Sequence, residues 1–86
     1  NTNMKIIYFS WLKENLGISE ENVVPPKNIN NINDLINWLS KKSTKHKKIF
    51  LKSKNIKCAI NQEIVNKNNK IKKNDEIAFF PPFTGG

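Results

Sequence analysis

The sequence predicts an α+β domain, a mixed sheet with one main helix packed on one of its faces. Three observations predict it. Lys5-Ile6-Ile7-Tyr8-Phe9 is a β-branched and aromatic run with apolar groups on both faces, so it belongs in the middle of a sheet. Ile32, Leu35, Ile36 and Leu39 recur at i, i+3, i+4 and i+7, the stripe of a helix lying on a sheet. Ile77-Ala78-Phe79-Phe80 is a closing strand that meets Pro81-Pro82, which lack the backbone donors needed to continue a ladder.

In chain order, Ile6 and Tyr8 share one face of the first strand while Ile7 and Phe9 share the other. Ser10 is placed to cap a short helix, Trp11 to Leu16, with Leu12 and Leu16 on one side and Gly17 ending it in the left-handed conformation. Glu21-Asn22-Val23-Val24-Pro25-Pro26 reads as a second strand shut off by its own prolines and paired antiparallel to the first. Asn31 caps the main helix, which runs to about Lys42, with Asp34 three residues on and Trp38 flanking the apolar stripe. Ile49-Phe50-Leu51 is expected as a short helical turn, Ile56–Ile60 and Glu63-Ile64-Val65 as strands around an Asn61-Gln62 turn, and 66–74 as a polar loop around Ile71.

If the closing strand lies parallel beside the first, both central strands come from the chain ends and the helix crosses one face. That is the β-grasp, or ubiquitin-like, arrangement. Ile77 and Phe79 then face the helix, while Ala78 and Phe80 lie on the open face, where Phe9, Ile64 and Phe80 are expected to form an exposed apolar patch. Residues 4–82 form the domain and 83–86 a flexible tail; Asn1-Thr2-Asn3, ahead of Met4, read as left over from expression.

Eighty-six residues suffice for one modest core. Neither a membrane-spanning apolar segment nor a charged-then-apolar leader is apparent, so a cytoplasmic location is expected. A single cysteine, Cys58, allows no internal disulfide or cysteine metal cluster and reads as a small buried hydrophobe. The net charge of +8 raises a nucleic-acid-binding module as an alternative. All 15 basic residues are lysine, however, and arginine, suited to bidentate phosphate or guanine contacts, is absent. The densest stretch, 41–48, lacks interleaved aromatics and reads as a solvated surface where a helix ends. His46 within it has no partner at ligand spacing, so neither metal binding nor base catalysis is expected there. The chain shows no Ser/His/acid set, paired carboxylates around a cleft, metal-ligand spacing or phosphate-cradling glycine loop.

Chemistry is instead offered by the C-terminus. The residues from Phe83 through Thr84 to Gly85 and Gly86 extend the stiff double proline, and glycines without Cβ atoms can pass a narrow channel and present the terminal carboxylate. A carboxylate is a poor electrophile until activated, for example as an adenylate; a sulfur nucleophile can then displace AMP, leaving a terminal thiocarboxylate.

Asp75-Glu76-Ile77-Ala78-Phe79-Phe80-Pro81-Pro82-Phe83-Thr84-Gly85-Gly86 resembles the C-terminal signature of the small, sulfur-carrying subunit of molybdopterin synthase, and Asn61-Gln62-Glu63-Ile64-Val65 resembles that family's preceding hairpin. The resemblance spans Met4 to Gly86 and implies the following. An activating enzyme related to ubiquitin-activating enzymes uses ATP and magnesium to adenylate Gly86, and a persulfide donor supplies sulfur; no tightly bound cofactor or metal is implied for the chain itself. The tail, Phe83, Thr84, Gly85 and Gly86, enters a large synthase subunit, two small with two large, where the Gly86 thiocarboxylate donates sulfur to cyclic pyranopterin monophosphate. Phe9, Ile64, Phe80, Pro81 and Pro82 are the implied subunit contacts. Phe83 stands where a smaller apolar residue is more usual, and the lysine-rich middle departs from the family pattern. A thiamine-type sulfur carrier and a ubiquitin-like protein modifier also end in Gly-Gly on this fold and stand as alternatives.

Overall fold

A computed structural model describes residues 3–52 and 55–82. The expected tail residues Phe83, Thr84, Gly85 and Gly86 lie outside the described residues. The elements run β1 (Met4–Tyr8), α1 (Trp11–Leu16), β2 (Glu20–Val23), α2 (Ile32–Ser40), α3 (Thr44–Lys52), β3 (Lys57–Ile60), β4 (Glu63–Val65) and β5 (Glu76–Phe80). The five strands form one sheet in the order β2-β1-β5-β3-β4. β1 pairs parallel with β5, Ile6 opposite Ile77 and Tyr8 opposite Phe79, so the two ends of the chain make the centre of the sheet. The other pairings, β1 with β2, β3 with β5 and β3 with β4, are antiparallel. This is the β-grasp fold.

The period of two divides the central strands as the sequence predicts. Met4, Ile6, Tyr8, Ile77 and Phe79 point to one face and are buried. Ile32, Leu35 and Leu39 of α2 and Ile49 and Phe50 of α3 cover them. The Phe50 ring meets Phe79 edge-on with centroids 5.3 Å apart, a favoured aromatic geometry. Cys58 is also buried, within 3.6 Å of the Val65 carbonyl. Burial pushes its thiol pKa up against the opposing pull of Lys67 and Lys57, which fits a packing residue.

Local signals explain most boundaries. Asn31 Oδ1 accepts the Asp34 N–H at 2.8 Å and caps α2. Gly17 adopts φ +87 and its N–H closes α1 on the Lys13 carbonyl. Asn61 and Gln62 both take positive φ, as a two-residue hairpin turn of type I′ requires. β2 ends at Val23, with Val24 between it and the prolines expected to shut it off, because β1 begins opposite it at Met4 and offers no further partner. The largest departure is α3. The expected turn over Ile49–Leu51 is the end of a nine-residue helix that takes in much of the lysine-rich stretch.

Candidate partner surface and tail exit

β5 fixes where the tail leaves. Phe80 ends the strand beside Lys57 of β3, and Pro81 and Pro82 follow at the same edge of the open face. The Phe9 N–H bonds to the Phe79 carbonyl at 3.0 Å, which carries β1 one residue past its last ladder pair and brings Phe9 to this edge. Phe9, Ser10, Trp11, Ile64, Phe80, Pro81 and Pro82 line one shallow, largely apolar groove. Within it Phe9 is 49% exposed and Ile64 70% exposed, a costly placement for large apolar groups that have no partner. The structure thus brings together all five residues expected as partner contacts, Phe9, Ile64, Phe80, Pro81 and Pro82.

Ser10 and Trp11 complete the groove and were not singled out for it from the sequence. Ser10 does stand at the N-terminus of α1, but its side chain makes no capping bond. Its backbone takes φ +58 and ψ −138, a region that disfavours any residue with a Cβ and costs on the order of 1–3 kcal/mol. That turn sends the chain from β1 into α1 within two residues and sets Phe9 and Trp11 on either side of it. No sequence pattern marks a serine for positive φ.

Away from the groove, residues distant in sequence form a polar chain. The Tyr8 hydroxyl donates to Glu21 Oε2 at 2.7 Å, and His46 Nε2 lies 2.8 Å from the same oxygen. Ser43 Oγ lies 2.7 Å from His46 Nδ1 and accepts the His46 backbone N–H at 3.1 Å. An ionised carboxylate can only accept, so His46 Nε2 carries a proton in this arrangement. Burial raises the Glu21 pKa, but the hydrogen bonds from His46 and Tyr8 and the charges of His46 and Lys42 outweigh it, and the net direction is down. Tyr8 is pushed well up, first by burial and then by its bond to Glu21. The sequence shows no Ser/His/acid set and predicts a solvated surface around His46; the structure aligns Ser43, His46 and Glu21 and buries the histidine. The Ser43 oxygen is engaged as the cap of α3, and the chain ends inward on the fully buried Tyr8. It is a clamp that fastens α3 to β1 and β2 across 25 residues of sequence. Among the described residues no group of His, Cys, Asp and Glu is placed to hold a metal, and no helix is long and apolar enough to cross a membrane.

Residues 6–86 match the ThiS family. The chain belongs to that family. Solved structures agree on the fold. A protein assigned as molybdopterin converting factor, subunit 1, from Pyrococcus furiosus superposes with a TM-score of 0.76 at 23% identity, covering 96% of this chain and all of that one. Small archaeal modifier protein 1 of H. volcanii gives 0.77 at 20% identity, covering 96% and 100%. A complex of subunits 1 and 2 of molybdopterin-converting factor from Helicobacter pylori gives 0.64 at 24% identity, covering 98% and 99%. At these identities the likeness establishes the β-grasp fold of this ThiS-family chain.

Proposed function

We propose that this ThiS-family chain is a sulfur carrier that serves as the small subunit of molybdopterin synthase. The observation that carries the reading is the course of β5: a central strand runs straight into Pro81-Pro82 beside an exposed apolar groove, and four residues later the chain reaches Gly85-Gly86. The body offers a docking face and the terminus offers the reacting group.

The chemistry follows from the carboxylate. The activating enzyme, using ATP and magnesium, joins AMP to Gly86 and releases pyrophosphate, converting oxide into a phosphate leaving group. The terminal sulfur of a persulfide attacks the acyl carbon and expels AMP; a thiol then cleaves the resulting acyl disulfide and leaves the Gly86 thiocarboxylate. Held in the large subunit, that sulfur attacks cyclic pyranopterin monophosphate to form a thioester, and water cleaves its acyl–sulfur bond, leaving sulfur on the pterin and the Gly86 carboxylate. Two transfers complete the dithiolene. The chain supplies no acid, base or metal ligand to these steps; it positions the terminus. Phe83, Thr84, Gly85 and Gly86 are assigned to the large subunit's channel, and Phe9, Ile64, Phe80, Pro81 and Pro82 to its surface, in an assembly of two small and two large subunits in the cytoplasm. Subunits 1 and 2 of the Helicobacter pylori molybdopterin-converting factor do form a complex, which supports a large-subunit partner.

The likeness to small archaeal modifier protein 1 favours a second reading, attachment of Gly86 to lysines of other proteins. The two part in one reaction. Thiocarboxylated protein, mixed with the large subunit and cyclic pyranopterin monophosphate, is expected to yield molybdopterin and unmodified Gly86. Protein-linked ladders in the activating mixture, with no molybdopterin, support the modifier instead.

A further inference from the structure

The helix α3 is built against its own local interest. Residues 41–52 hold six lysines and no acid. Lys45, Lys48 and Lys52 fall at i, i+3 and i+7, one face of the helix, where like charges repel by roughly 0.2–0.5 kcal/mol per pair. Lys45 sits in the first turn, the end of the helix dipole that disfavours cations, and Lys52 in the last turn, the end that favours them. All three side chains are exposed, and among the described residues none takes part in an ion pair. Glu21 is engaged with His46 and Lys42, and Glu20 with Lys5. What holds α3 is its inner side, Ile49, Phe50 and the clamped His46.

This row and the apolar groove meet at one residue. Trp11, Asn15, Lys45, Lys48, Ile49 and Lys52 line a cleft between α1 and α3. Trp11 lines that cleft and also the groove at the tail exit. Asn15 Nδ2 bonds back to the Trp11 carbonyl at 2.8 Å, tying the two turns of α1 together beneath the junction. Trp11 therefore joins the apolar groove to a lysine-lined cleft on the helix side of the sheet.

We infer that the protein covering the open face also carries a row of carboxylates that docks on Lys45, Lys48 and Lys52, with Trp11 buried at the junction between the groove and the cleft. The inference rests on the sulfur-carrier reading, since the large synthase subunit is taken as that protein. The three lysines span about 10 Å of helix, a spacing that Asp or Glu at i, i+3 and i+7 of a facing helix reproduces. A protein fits better than a nucleic acid, because the adjoining groove asks for apolar contact and the chain has no arginine to fork onto phosphates. Exposed lysines at the rim of an interface act chiefly on encounter, so their effect belongs in the association rate and its salt dependence.

The experiment measures binding kinetics of the cognate large subunit to the full chain, the triple variant K45A/K48A/K52A and the triple variant K45E/K48E/K52E over a range of salt, with sulfur loading of the wild type by the activating enzyme followed alongside. Alanine favours the helix, so the first variant keeps the comparison valid if charge reversal perturbs folding. The expected result is a Kd weakened about tenfold by the alanines and further by the glutamates at low salt, carried mainly by slower association, with a flatter salt dependence. Unchanged kinetics in both variants overturn the inference and leave the carrier reading standing if the wild type loads sulfur. No binding of the wild type overturns the inference, and absence of loading then removes the carrier reading as well. Tighter binding to a single-stranded RNA oligonucleotide than to the large subunit at about 150 mM salt also overturns it.

Discussion

The two faces of the central strands are written in the same few residues and have opposite fates. On one face Ile6, Tyr8, Ile77 and Phe79 are buried beneath α2 and α3. On the other, Ile7, Ala78 and Phe80 alternate with them, and the neighbouring Phe9 and Ile64 stay exposed. A strand's period of two lets Phe79 hold the fold while Phe80, its neighbour, is half-buried and lines the groove on the opposite face. Stability and binding can then be changed separately in one strand.

The sharpest way to break this comparison is to truncate each phenylalanine in turn. Phe79→Ala empties a site contacted by Tyr8 and Phe50, and a loss of about 3–5 kcal/mol in unfolding free energy is expected by denaturant titration. Phe80→Ala is expected to change stability by less than about 1 kcal/mol, and to weaken binding to the large subunit by more than about 1 kcal/mol, as a central aromatic contact does. Similar stability losses in the two variants would mean that the open face is also structural.

The clamp sharpens the buried side. Glu21→Gln is expected to cost about 1–3 kcal/mol near neutral pH, because it weakens charge-assisted bonds to His46 and Tyr8. The Glu21 pKa is held below its ordinary value of 4.5, so its extra stability is present above that value and is lost as pH falls through the folded value. Chemical unfolding at a series of pH values is expected to show the gap between wild type and Glu21→Gln closing as pH drops below about 4.5; a gap that widens there contradicts the assignment. The smallest effect belongs to the rim of the open face. Ser10→Gly relieves the strain at φ +58 and is expected to raise stability by about 0.5–1 kcal/mol, a rise of a few degrees in Tm, without weakening the partner.

Much of this was legible beforehand because it depends on periodicity and backbone chemistry. The stripe of α2, the Asn31 cap, the Gly17 stop and the shared face of Phe9, Ile64 and Phe80 follow from such rules, whereas the parallel seating of β5 beside β1 is a condition that the sequence sets and the resemblance supports. The sequence predicts α3 too short, since Lys45, Lys47 and Lys48 carry no apolar stripe; the Ser43 cap, the His46 clamp and the packing of Ile49 and Phe50 pull the preceding turn into a helix. The bond of His46 to Glu21 joins residues that sequence spacing does not relate. The part of Ser10 and Trp11 in the groove depends on a strained turn that tertiary structure imposes. The roles of Phe83, Thr84, Gly85 and Gly86 rest on chemistry and resemblance alone.

The central claim is that the terminus carries sulfur, and intact mass tests it most directly. After incubation with ATP, magnesium, the cognate activating enzyme and a persulfide donor, the chain is expected to gain the mass difference of one oxygen replaced by sulfur, and a chain lacking Gly86 is expected to gain none. An unchanged mass, with an enzyme that loads another carrier in the same mixture, contradicts the account.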